Sequence, residues 1–310
     1  MLIARGLEPS RAASCGCVVT IGNFDGLHLG HQAILAVQAR RCSEERLAAV
    51  VLTFEPHPRE YFAPHAAPAR LMRLRDKAEA FRVRGIHELR VLRFDAMLSG
   101  WDGATFIERV LNRAVGARRV VVGEGFRYGR GRRSDIAELR AVGARLGLQV
   151  DEVPPCEIDG RRVSSTRVRE ALAAGNLHEA RTLLGRDFRI CGRVVAGDRL
   201  GRRLGFPTAN IRLHRRISPV AGIFAVRVSG AGHERRPGVA SVGTRPTVGG
   251  AEWLLEVHLF DFDDELYRKQ LAVDFIARLR DELHYPDLAT MTAQMHVDAR
   301  RARELLDAKA

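Results

Sequence analysis

The sequence predicts an α/β domain with a parallel sheet, followed by a mainly antiparallel β-barrel domain with a C-terminal helix. Up to Val153, short β-branched runs alternate with helix-patterned stretches, which is the order of β-α-β units. From Ile190 onward, short strands separated by glycines follow one another, as in a small barrel. The last long segment has apolar side chains at helical spacing. We place the boundary at about Leu184–Asp187, so the predicted domains are residues 1–185 and 186–310.

The first domain contains five near-continuous apolar strands joined by helical stretches. Strands of this kind form parallel sheets that helices cover on both faces. The predicted elements are the strand Val18–Ile21, a helix from about Gly30, the strands Ala48–Phe54 and Arg90–Phe94, a helix through Ala104–Ala114, the strand Arg119–Val122, the helix Ser134–Leu146 and the strand Leu148–Val153.

The second domain contains shorter runs bounded by glycine. Its predicted strands are Ile190–Val195, Ile223–Val228, Val239–Val242, Leu254–Phe260 and Ala272–Ala277. A terminal helix, Asp287–Leu306, is expected to lie on the barrel. The apolar residues that suggest its buried face are Leu288, Met291, Met295, Val297 and Leu305.

Composition limits the classes of function. The chain has 310 residues, of which 46% are hydrophobic and 28% charged, and this is typical of a globular protein rather than a disordered one. No apolar run approaches the ~18 residues of a membrane span, and the N-terminus lacks the apolar core of a signal peptide. We therefore expect a cytoplasmic protein without a membrane partner. Five cysteines without a CxxC pair argue against a zinc site or a disulfide framework.

The formal net charge of +13 suits a partner rich in phosphate, either a nucleotide or a nucleic acid. Arginine supplies 47 of the 50 basic residues, and the arginines are spread along the whole chain. A general preference for arginine over lysine explains this distribution as well as a binding patch does. Composition alone does not choose between these alternatives.

The strongest motif follows the first predicted strand, where the chain reads GNFDGLHLGH over residues 22–31. Glycines allow close approach of the backbone to a ligand, and the free amides of the helix that begins near Gly30 favour an anion. His28 and His31, three residues apart, can face the same space and donate hydrogen bonds to phosphoryl oxygens. A single histidine is more often structural, but two in a glycine-bracketed turn favour phosphate chemistry.

Two further segments of the first domain have both a functional and a structural interpretation. Ser165 and Thr166 at the start of a helix can hold phosphates whose charge Arg169 neutralises, or they can form a helix cap with a solvated arginine. The turn Pro56-His57-Pro58 follows a strand, where open α/β sheets bind ligands, but it also fits a rigid turn.

The second domain carries a glycine-rich, basic run over residues 192–210 that lacks the GK[ST] ending of a P-loop. Thr208 and Asn210 occupy alternate positions of a predicted strand, so they point to one face and offer hard oxygen ligands suited to Mg²⁺. By itself this segment would be a turn before a strand. Glu256 is a carboxylate in an otherwise apolar strand and needs a partner or a catalytic role unless it faces solvent.

These motifs together resemble one family over nearly the whole chain, from about Val18 to Leu306. TIGNFDGLHLGH is similar to the HxGH element of the nucleotidyltransferase superfamily, in the form found in prokaryotic bifunctional riboflavin kinase/FAD synthetases. VSSTRVR, residues 163–169, is similar to the SSTxIR signature of that family, and the run Gly192–Asn210 resembles its riboflavin kinase signature. The resemblance implies a Rossmann-like FMN adenylyltransferase domain followed by a riboflavin kinase domain.

The resemblance also implies roles for individual residues. His28, His31 and Glu256 would be catalytic, with Glu256 as the general base for the riboflavin 5′-hydroxyl. Thr208 and Asn210 would bind Mg²⁺. Nucleotide and phosphate contacts would come from Gly22, Phe24, Asp25, Gly26, Gly30, Ser165, Thr166, Arg169, Gly197, Gly201 and Gly205. Flavin contacts would come from Pro56, His57, Pro58 and Arg280.

Three positions depart from the pattern of the family. Gly125 stands where the family usually has Asp or Asn, Ser134 replaces a glycine, and Arg268 replaces the glycine of LYGK. A serine can cap the helix that follows it. An arginine enters a turn with positive φ less readily than a glycine does.

We therefore expect a flavin enzyme that makes FMN from riboflavin and ATP, and then FAD and pyrophosphate from FMN and a second ATP, with Mg²⁺ as the cofactor. We expect it to be a monomer or a weak homo-oligomer that binds no nucleic acid. One alternative is a riboflavin kinase with a weak or altered adenylyltransferase domain, because Gly125 lacks a polar side chain. An alternative of another class is a basic nucleic-acid-binding protein, which the positive charge motivates.

Overall fold

A computed structural model describes residues 1–9, 14–196, 201, 204–247 and 250–308. The chain divides into two compact units. The first consists of Met1–Pro68 and Met72–Ser164, and the second of Ala69–Leu71 and Ser165–Ala310. The residues from Ser165 to the boundary expected at 185/186 belong to this second unit. The functional boundary itself stays a prediction.

The first unit is built on a six-stranded sheet in which every neighbouring pair of strands is parallel. This confirms the predicted parallel sheet. The strands are β1 (Leu2–Arg5), β2 (Cys17–Ile21), β3 (Ala48–Glu55), β4 (Glu88–Arg93), β5 (Ala117–Gly123) and β6 (Gln149–Val153). Their order across the sheet is β1-β4-β3-β2-β5-β6, which places β2 near the middle.

Helices connect these strands. They are α1 (Leu29–Glu45), α2 (Pro58–Phe62), α3 (Leu74–Arg82), α4 (Ala96–Gly100), α5 (Gly103–Phe106) and α6 (Ile136–Arg145). After α5 the chain continues as a π-helix over Ile107–Ala114, within the segment Ala104–Ala114 that was predicted to be helical, and Arg130–Arg132 forms a 3₁₀ turn. A short hairpin of β7 (Glu157–Ile158) and β8 (Arg161–Arg162) closes the unit.

Apolar clusters cover both faces of the sheet. Along β3, Val50 and Leu52 enter one cluster, while Ala49 and Val51 enter another. Because alternate side chains of a strand point to opposite faces, both sets must be apolar. This double burial explains the near-continuous apolar runs in the sequence.

The edge strand β1 was not predicted. It is only four residues long, and its side chains are mostly exposed, so it lacks the signal of a buried strand. A buried charge helps to hold the segment that follows it. The Arg90 guanidinium, 1% exposed, pairs with Glu88 at 2.8 Å and donates to the carbonyls of Gly6 and Glu8 at 3.0 and 2.7 Å.

The second unit contains a closed antiparallel barrel, as predicted. Its strands are β9 (Phe188–Val195), β10 (Ala209–Arg212), β11 (Gly222–Gly230), β12 (His233–Thr247), β13 (Gly250–Leu259) and β14 (Gln270–Arg280). Their order is β10-β13-β12-β11-β14-β9. β10 is the strand expected at Asn210, and it closes the barrel with the five other predicted strands. The helices α7 (Ser165–Ala173) and α8 (Leu177–Leu184) precede the barrel.

The C-terminal helix α9 (Leu288–Asp307) is present, but the predicted buried face is partly wrong. Leu288 and Val297 are 54% and 43% exposed. The helix instead buries Ala302, Leu306 and Asp298. Asp298 accepts hydrogen bonds from Arg280 of β14 at 2.6–3.0 Å, so an ion pair turns this face of the helix toward the barrel. Among the described residues, no helix is both long and apolar enough to cross a bilayer.

Arg268 adopts a φ of +63°, in the left-handed region that favours glycine. The turn that contains it is well formed, because the Arg268 amide donates to the Val194 carbonyl at 3.0 Å. The arginine therefore occupies the backbone conformation of a glycine turn at an energetic cost.

We expect Arg268→Gly to raise the free energy of unfolding of the second unit by about 1 kcal/mol, because a left-handed residue with a Cβ costs roughly 1–2 kcal/mol and the added flexibility of glycine offsets part of the gain. Urea denaturation followed by circular dichroism measures the change. Arg268→Ala is the matched control, since it removes the guanidinium but keeps the Cβ. Equal stabilisation by alanine would show that backbone strain is not the cause.

Candidate active sites

The first candidate site begins where β2 ends. All five residues of β2 are buried, and the Gly22 amide extends the hydrogen bonding of the sheet by donating to the Leu52 carbonyl at 3.1 Å. The chain then turns sharply, with positive φ at Phe24 (+48°), Gly26 (+84°) and Leu27 (+46°). A Cβ at Gly22 would lie 3.1 Å from the Phe24 ring, so the turn folds tightly back on itself.

His28 is the N-cap of α1, and its Nδ1 accepts a hydrogen bond from the His31 amide at 3.4 Å. Because Nδ1 accepts, the proton of the neutral imidazole lies on Nε2, which is then a donor. The two rings stack with their centroids 3.7 Å apart. A Cβ at Gly30 would lie 3.2 Å from His28 Cε1 and 3.5 Å from the carbonyl of Val163, which explains the glycine there.

Burial holds the pKa of His31 well below its usual value, and the charges of His28 and Lys77 add to this effect. His31 is therefore neutral at pH 7. Two polar atoms of this turn, His31 Nδ1 and Asn23 Oδ1, are buried without a hydrogen-bond partner in the part of the chain that the structure describes. Buried polar groups are normally paired, so the turn has unused hydrogen-bonding capacity for a ligand.

Two other side chains contact the turn from outside it. Asp25, 3% exposed, accepts a hydrogen bond from the Met72 amide at 2.9 Å, so it anchors the turn, and its expected nucleotide contact stays a prediction. Lys77, 2% exposed, donates from Nζ to the Asn23 carbonyl at 3.1 Å. No sequence motif contains Lys77. Its only local signal is that it is a lysine in a chain whose basic residues are almost all arginine.

The proline-rich turn after β3 begins helix α2. His57 caps this helix by accepting from the Arg59 amide at 3.1 Å, and its own amide donates to Glu60 at 3.2 Å. Pro58 is the first helical residue, a position that suits proline. Flavin contacts of Pro56, His57 and Pro58 therefore stay predictions on a well-defined turn.

An aromatic group that the sequence analysis missed lies beside this turn. Phe62, which is 66% exposed, and Tyr61 are both on α2, and each packs against Phe94 with ring centroids 5.6 and 5.5 Å apart. Phe94 follows β4 and also contacts Phe54 of β3. A largely exposed phenylalanine held by other rings offers a flat apolar surface at the carboxyl end of the sheet.

Ser165, Thr166 and Arg169 lie in the first turns of α7, as predicted. They fall in the second compact unit, whereas His28 and His31 fall in the first. Thr166 is exposed, Ser165 and Arg169 are half-buried, and Arg169 Nε donates to the Ala69 carbonyl at 2.6 Å. Their phosphate contacts stay predictions.

Gly125 has a φ of +71°, and a Cβ built there would meet no atom within 4 Å. Asp and Asn are among the residues that most readily adopt this conformation. The position therefore accommodates glycine as well as the residues that the resemblance leads one to expect.

The second candidate site lies on the barrel. Strand register places Asn210 of β10 opposite Glu256 of β13, and Glu256 opposite Ser241 of β12, so the three side chains lie in one row across the sheet. The Glu256 carboxylate, with a side chain 36% exposed, accepts from Arg245 of β12 at 3.3 Å. Nothing local in the sequence indicates that Arg245 faces Glu256, so this contact was not predicted.

Of the two expected magnesium ligands, Asn210 belongs to this row, and Thr208 lies just before β10. Asn210 is 7% exposed, its Nδ2 donates to the Thr208 carbonyl at 3.4 Å, and its Oδ1 is buried without a hydrogen-bond partner among the described residues. An unpaired amide oxygen suits a hard cation, and the Thr208 hydroxyl as a second ligand stays a prediction. No group of three or more His, Cys, Asp or Glu side chains suited to a metal occurs in the described ranges, so further ligands would come from phosphate or water.

The glycine loop before Asn210 is described only in part, and Gly197 lies outside the described residues. Gly201 accepts from the Phe206 amide at 2.7 Å, and a Cβ on it would lie 2.3 Å from the Phe206 carbonyl oxygen. Gly205 has a φ of +82°. Both glycines are thus required by a tight turn that leads to Thr208.

A histidine that the sequence analysis missed supports this turn. His258, two residues after Glu256 on β13, hydrogen-bonds through Nδ1 to the Pro207 carbonyl at 2.9 Å. The Phe206 ring packs edge-on against the rings of His258 and His296, 5.1 and 4.8 Å away. Burial lowers the pKa of His258, which favours the neutral form.

Arg280 lies in an ion pair with Asp298 and donates to the Asp281 carbonyl at 2.8 Å. The ion pair with a carboxylate of α9 accounts for the position of Arg280 without a ligand. Its flavin contact stays a prediction.

Each half of the chain is similar to a known protein family. A family model for FAD synthetase matches residues 10–167, and one for riboflavin kinase matches residues 184–306. Proteins named bifunctional riboflavin kinase/FMN adenylyltransferase are similar over nearly their full length. Those of Pseudomonas fluorescens and Haemophilus influenzae are 44% and 41% identical, with 98% of each chain covered, and that of Escherichia coli K12 is 42% identical, with 98% of this chain and 97% of that protein covered.

A solved structure supports the fold. The crystal structure of a protein described as a macrolide-efflux protein from Streptococcus pneumoniae is 27% identical, with a TM-score of 0.83 over 98% of this chain and 99% of the other. The two family matches occur in the order of the parallel-sheet unit and the barrel. With the full-length similarity to the curated relatives, they show that the chain belongs to the bifunctional riboflavin kinase/FMN adenylyltransferase family.

Proposed function

We propose that this chain phosphorylates riboflavin to FMN at the barrel site and then adenylylates FMN to FAD at the parallel-sheet site. The observation that carries the proposal is that each family match contains its own ordered set of polar residues: the stacked His28 and His31 in one, and the row of Asn210 and Glu256 in the other. The overall reactions consume riboflavin and two molecules of ATP, and release ADP and pyrophosphate.

At the barrel site, the riboflavin 5′-oxygen attacks the γ-phosphorus of ATP, and ADP leaves. Glu256 accepts the proton of the 5′-hydroxyl during this step. Arg245 orients the carboxylate through their 3.3 Å contact. Thr208 and Asn210 would hold Mg²⁺, which neutralises phosphate charge when bound with the nucleotide. The backbone turn through Gly201 and Gly205, together with Gly197, would contact the phosphates.

At the parallel-sheet site, a phosphate oxygen of FMN attacks the α-phosphorus of the second ATP, and pyrophosphate leaves. His28 Nε2–H and the free amides at the start of α1 donate to the phosphate oxygens, where negative charge develops. Gly22, Phe24, Gly26 and Gly30 shape the turn that admits the phosphates. Ser165, Thr166 and Arg169 would hold the triphosphate, since hydroxyls and a guanidinium suit its oxygens.

The flavin of the second reaction would bind at the turn Pro56–Pro58, beside the exposed ring of Phe62. An isoalloxazine ring is flat and aromatic, so stacking on such a ring suits it. The open position at Gly125 gives no reason to favour a chain with a defective adenylyltransferase. We further infer a cytoplasmic monomer or weak homo-oligomer that binds no nucleic acid.

The direct test is chromatography of the flavin products after incubation of the purified chain with ATP, Mg²⁺ and either riboflavin or FMN. We expect FAD from both starting flavins. FMN accumulating without FAD would restrict the proposal to the kinase. No product from either flavin would contradict the proposal entirely, and salt-sensitive binding of RNA would then support the nucleic-acid alternative.

We expect Glu256→Gln to lower the rate of FMN formation by about 10²- to 10⁴-fold, because the amide cannot accept the hydroxyl proton. FAD formation from supplied FMN should be unchanged. Initial rates from riboflavin and from FMN measure the two activities separately. Glu252→Gln is the matched control: Glu252 is on the same strand and pairs with Arg212, outside the proposed set. Loss of both activities in folded Glu256→Gln would contradict the division between the sites.

We expect His28→Asn to lower the rate of FAD formation from FMN by about 10²- to 10³-fold, because the Nε2–H donor is lost. Asparagine is a strong N-cap, so α1 stays capped and the midpoint of thermal unfolding should change little. His28→Ala removes both the imidazole and the cap, and it should also lower the thermal midpoint. If His28→Asn retained full FAD formation, His28 would be only a helix cap.

A further inference from the structure

Lys77 is a buried cation that the proposed mechanism does not use. It lies on α3, with 2% of its surface exposed. A charged side chain is rarely buried unless it is paired or has a function, because it loses its hydration. The chain is also strongly biased toward arginine, and the other lysine in the described ranges, Lys269, is exposed. A lysine at a buried position in such a chain indicates a space that fits a compact ammonium rather than the larger guanidinium.

Helix α3 and the residues just before it hold the turn of the adenylyl-transfer site at three points. The Met72 amide donates to Asp25 at 2.9 Å, and Lys77 Nζ donates to the Asn23 carbonyl at 3.1 Å. Phe81, one helical turn after Lys77, packs edge-on against Phe24 with ring centroids 5.5 Å apart. Through these contacts, α3 fixes the backbone that leads to His28 and His31.

The same contacts reach the catalytic pair. The Phe24 ring that Phe81 supports lies 5.1 Å from the His31 ring, and His31 stacks on His28 at 3.7 Å. The positive charge of Lys77 acts on His31 and lowers its pKa, in addition to the larger effect of burial and that of His28. A cation beside the neutral imidazole of His31 and the start of α1 makes the turn electropositive.

We propose that Lys77 is a positioning residue of the adenylyl-transfer site, a buried cation that fixes the turn of His28 and His31 and supplies positive charge there for the polyphosphate of the incoming nucleotide. The inference rests on the proposed function of that site. The charge would act through space and through the turn, whose Asn23 carbonyl accepts a hydrogen bond from Nζ.

The test separates the charge of Lys77 from its hydrogen bond. Lys77→Gln keeps a donor for the Asn23 carbonyl but loses the charge, and Lys77→Met keeps the length of the side chain but loses both. Arg82→Gln is the matched control, because Arg82 is on the same helix but exposed and pairs with Glu79. The rates of FAD formation from FMN and of FMN formation from riboflavin are measured in each variant. The imidazole titration of His31 is followed by NMR and assigned with His31→Gln.

We expect Lys77→Gln to lower kcat for FAD formation at least about tenfold, with unchanged FMN formation. The titration midpoint of His31 should rise, because a nearby like charge has been removed. His28, the N-cap of α1 and the other charged group that acts on His31, is the same in all variants. Arg82→Gln should match the unsubstituted chain in both readouts, and Lys77→Arg, where it folds, should keep the low midpoint.

An unchanged kcat and an unchanged His31 midpoint in Lys77→Gln would overturn the proposal. A lower kcat with an unchanged midpoint and a lower thermal midpoint would also overturn it, since Lys77 would then act by packing alone. If the glutamine variant does not fold, the same two measurements on Lys77→Met, kcat and the His31 midpoint, test the proposal. If the unsubstituted chain made no FAD at all, the proposed function would fail, whereas the His31 titration would still show whether Lys77 acts on that histidine.

Discussion

The pairing of β2 between β3 and β5 is the constraint on which the first site depends. β2 is hydrogen-bonded to a parallel strand on each side, and both of its faces are buried. Its position in the sheet is therefore fixed, and its last residue lies at the edge where the parallel strands have their carboxyl ends. The turn that follows must then reverse into α1 within a few residues, and this requires positive φ angles at Phe24, Gly26 and Leu27. The free amides at the start of α1 and the stacked histidines lie at the end of this path. The anion binding that we propose for this turn would thus follow from how the sheet ends.

In the barrel, the register between neighbouring strands positions the side chains of the second site. Closing six antiparallel strands places Asn210, Glu256 and Ser241 side by side, although they lie on three strands. A shift of one residue on β13 would move Glu256 to the opposite face of the sheet. The geometry of the proposed kinase site therefore depends on apolar neighbours such as Leu255 and Val257, whose burial inside the barrel specifies the register.

Two features that involve charged residues differ from what the local sequence predicts: the buried face of α9 and the turn at Arg268. The apolar residues of α9 predicted a face that the structure leaves partly exposed, because the buried ion pair of Asp298 with Arg280 orients the helix. Arg268 occupies a glycine conformation, and the cooperative pairing of β9 with β14 tolerates its cost. In both cases, interactions between distant segments outweigh the preference of a single residue.

The sequence by itself determined the fold class, the order of the two functional modules and the family, a bifunctional riboflavin kinase/FMN adenylyltransferase. Periodicity, glycine spacing and the motifs around His28 and Thr208 are local, so a reading along the chain detects them. Only the tertiary structure decided that Lys77 is buried beside His31, that Arg245 contacts Glu256 and that Phe62 lies exposed on a group of rings. Such contacts join residues that are far apart in sequence. They exist only once the sheet and the barrel have formed, because burial and strand pairing, rather than local preference, bring the side chains together.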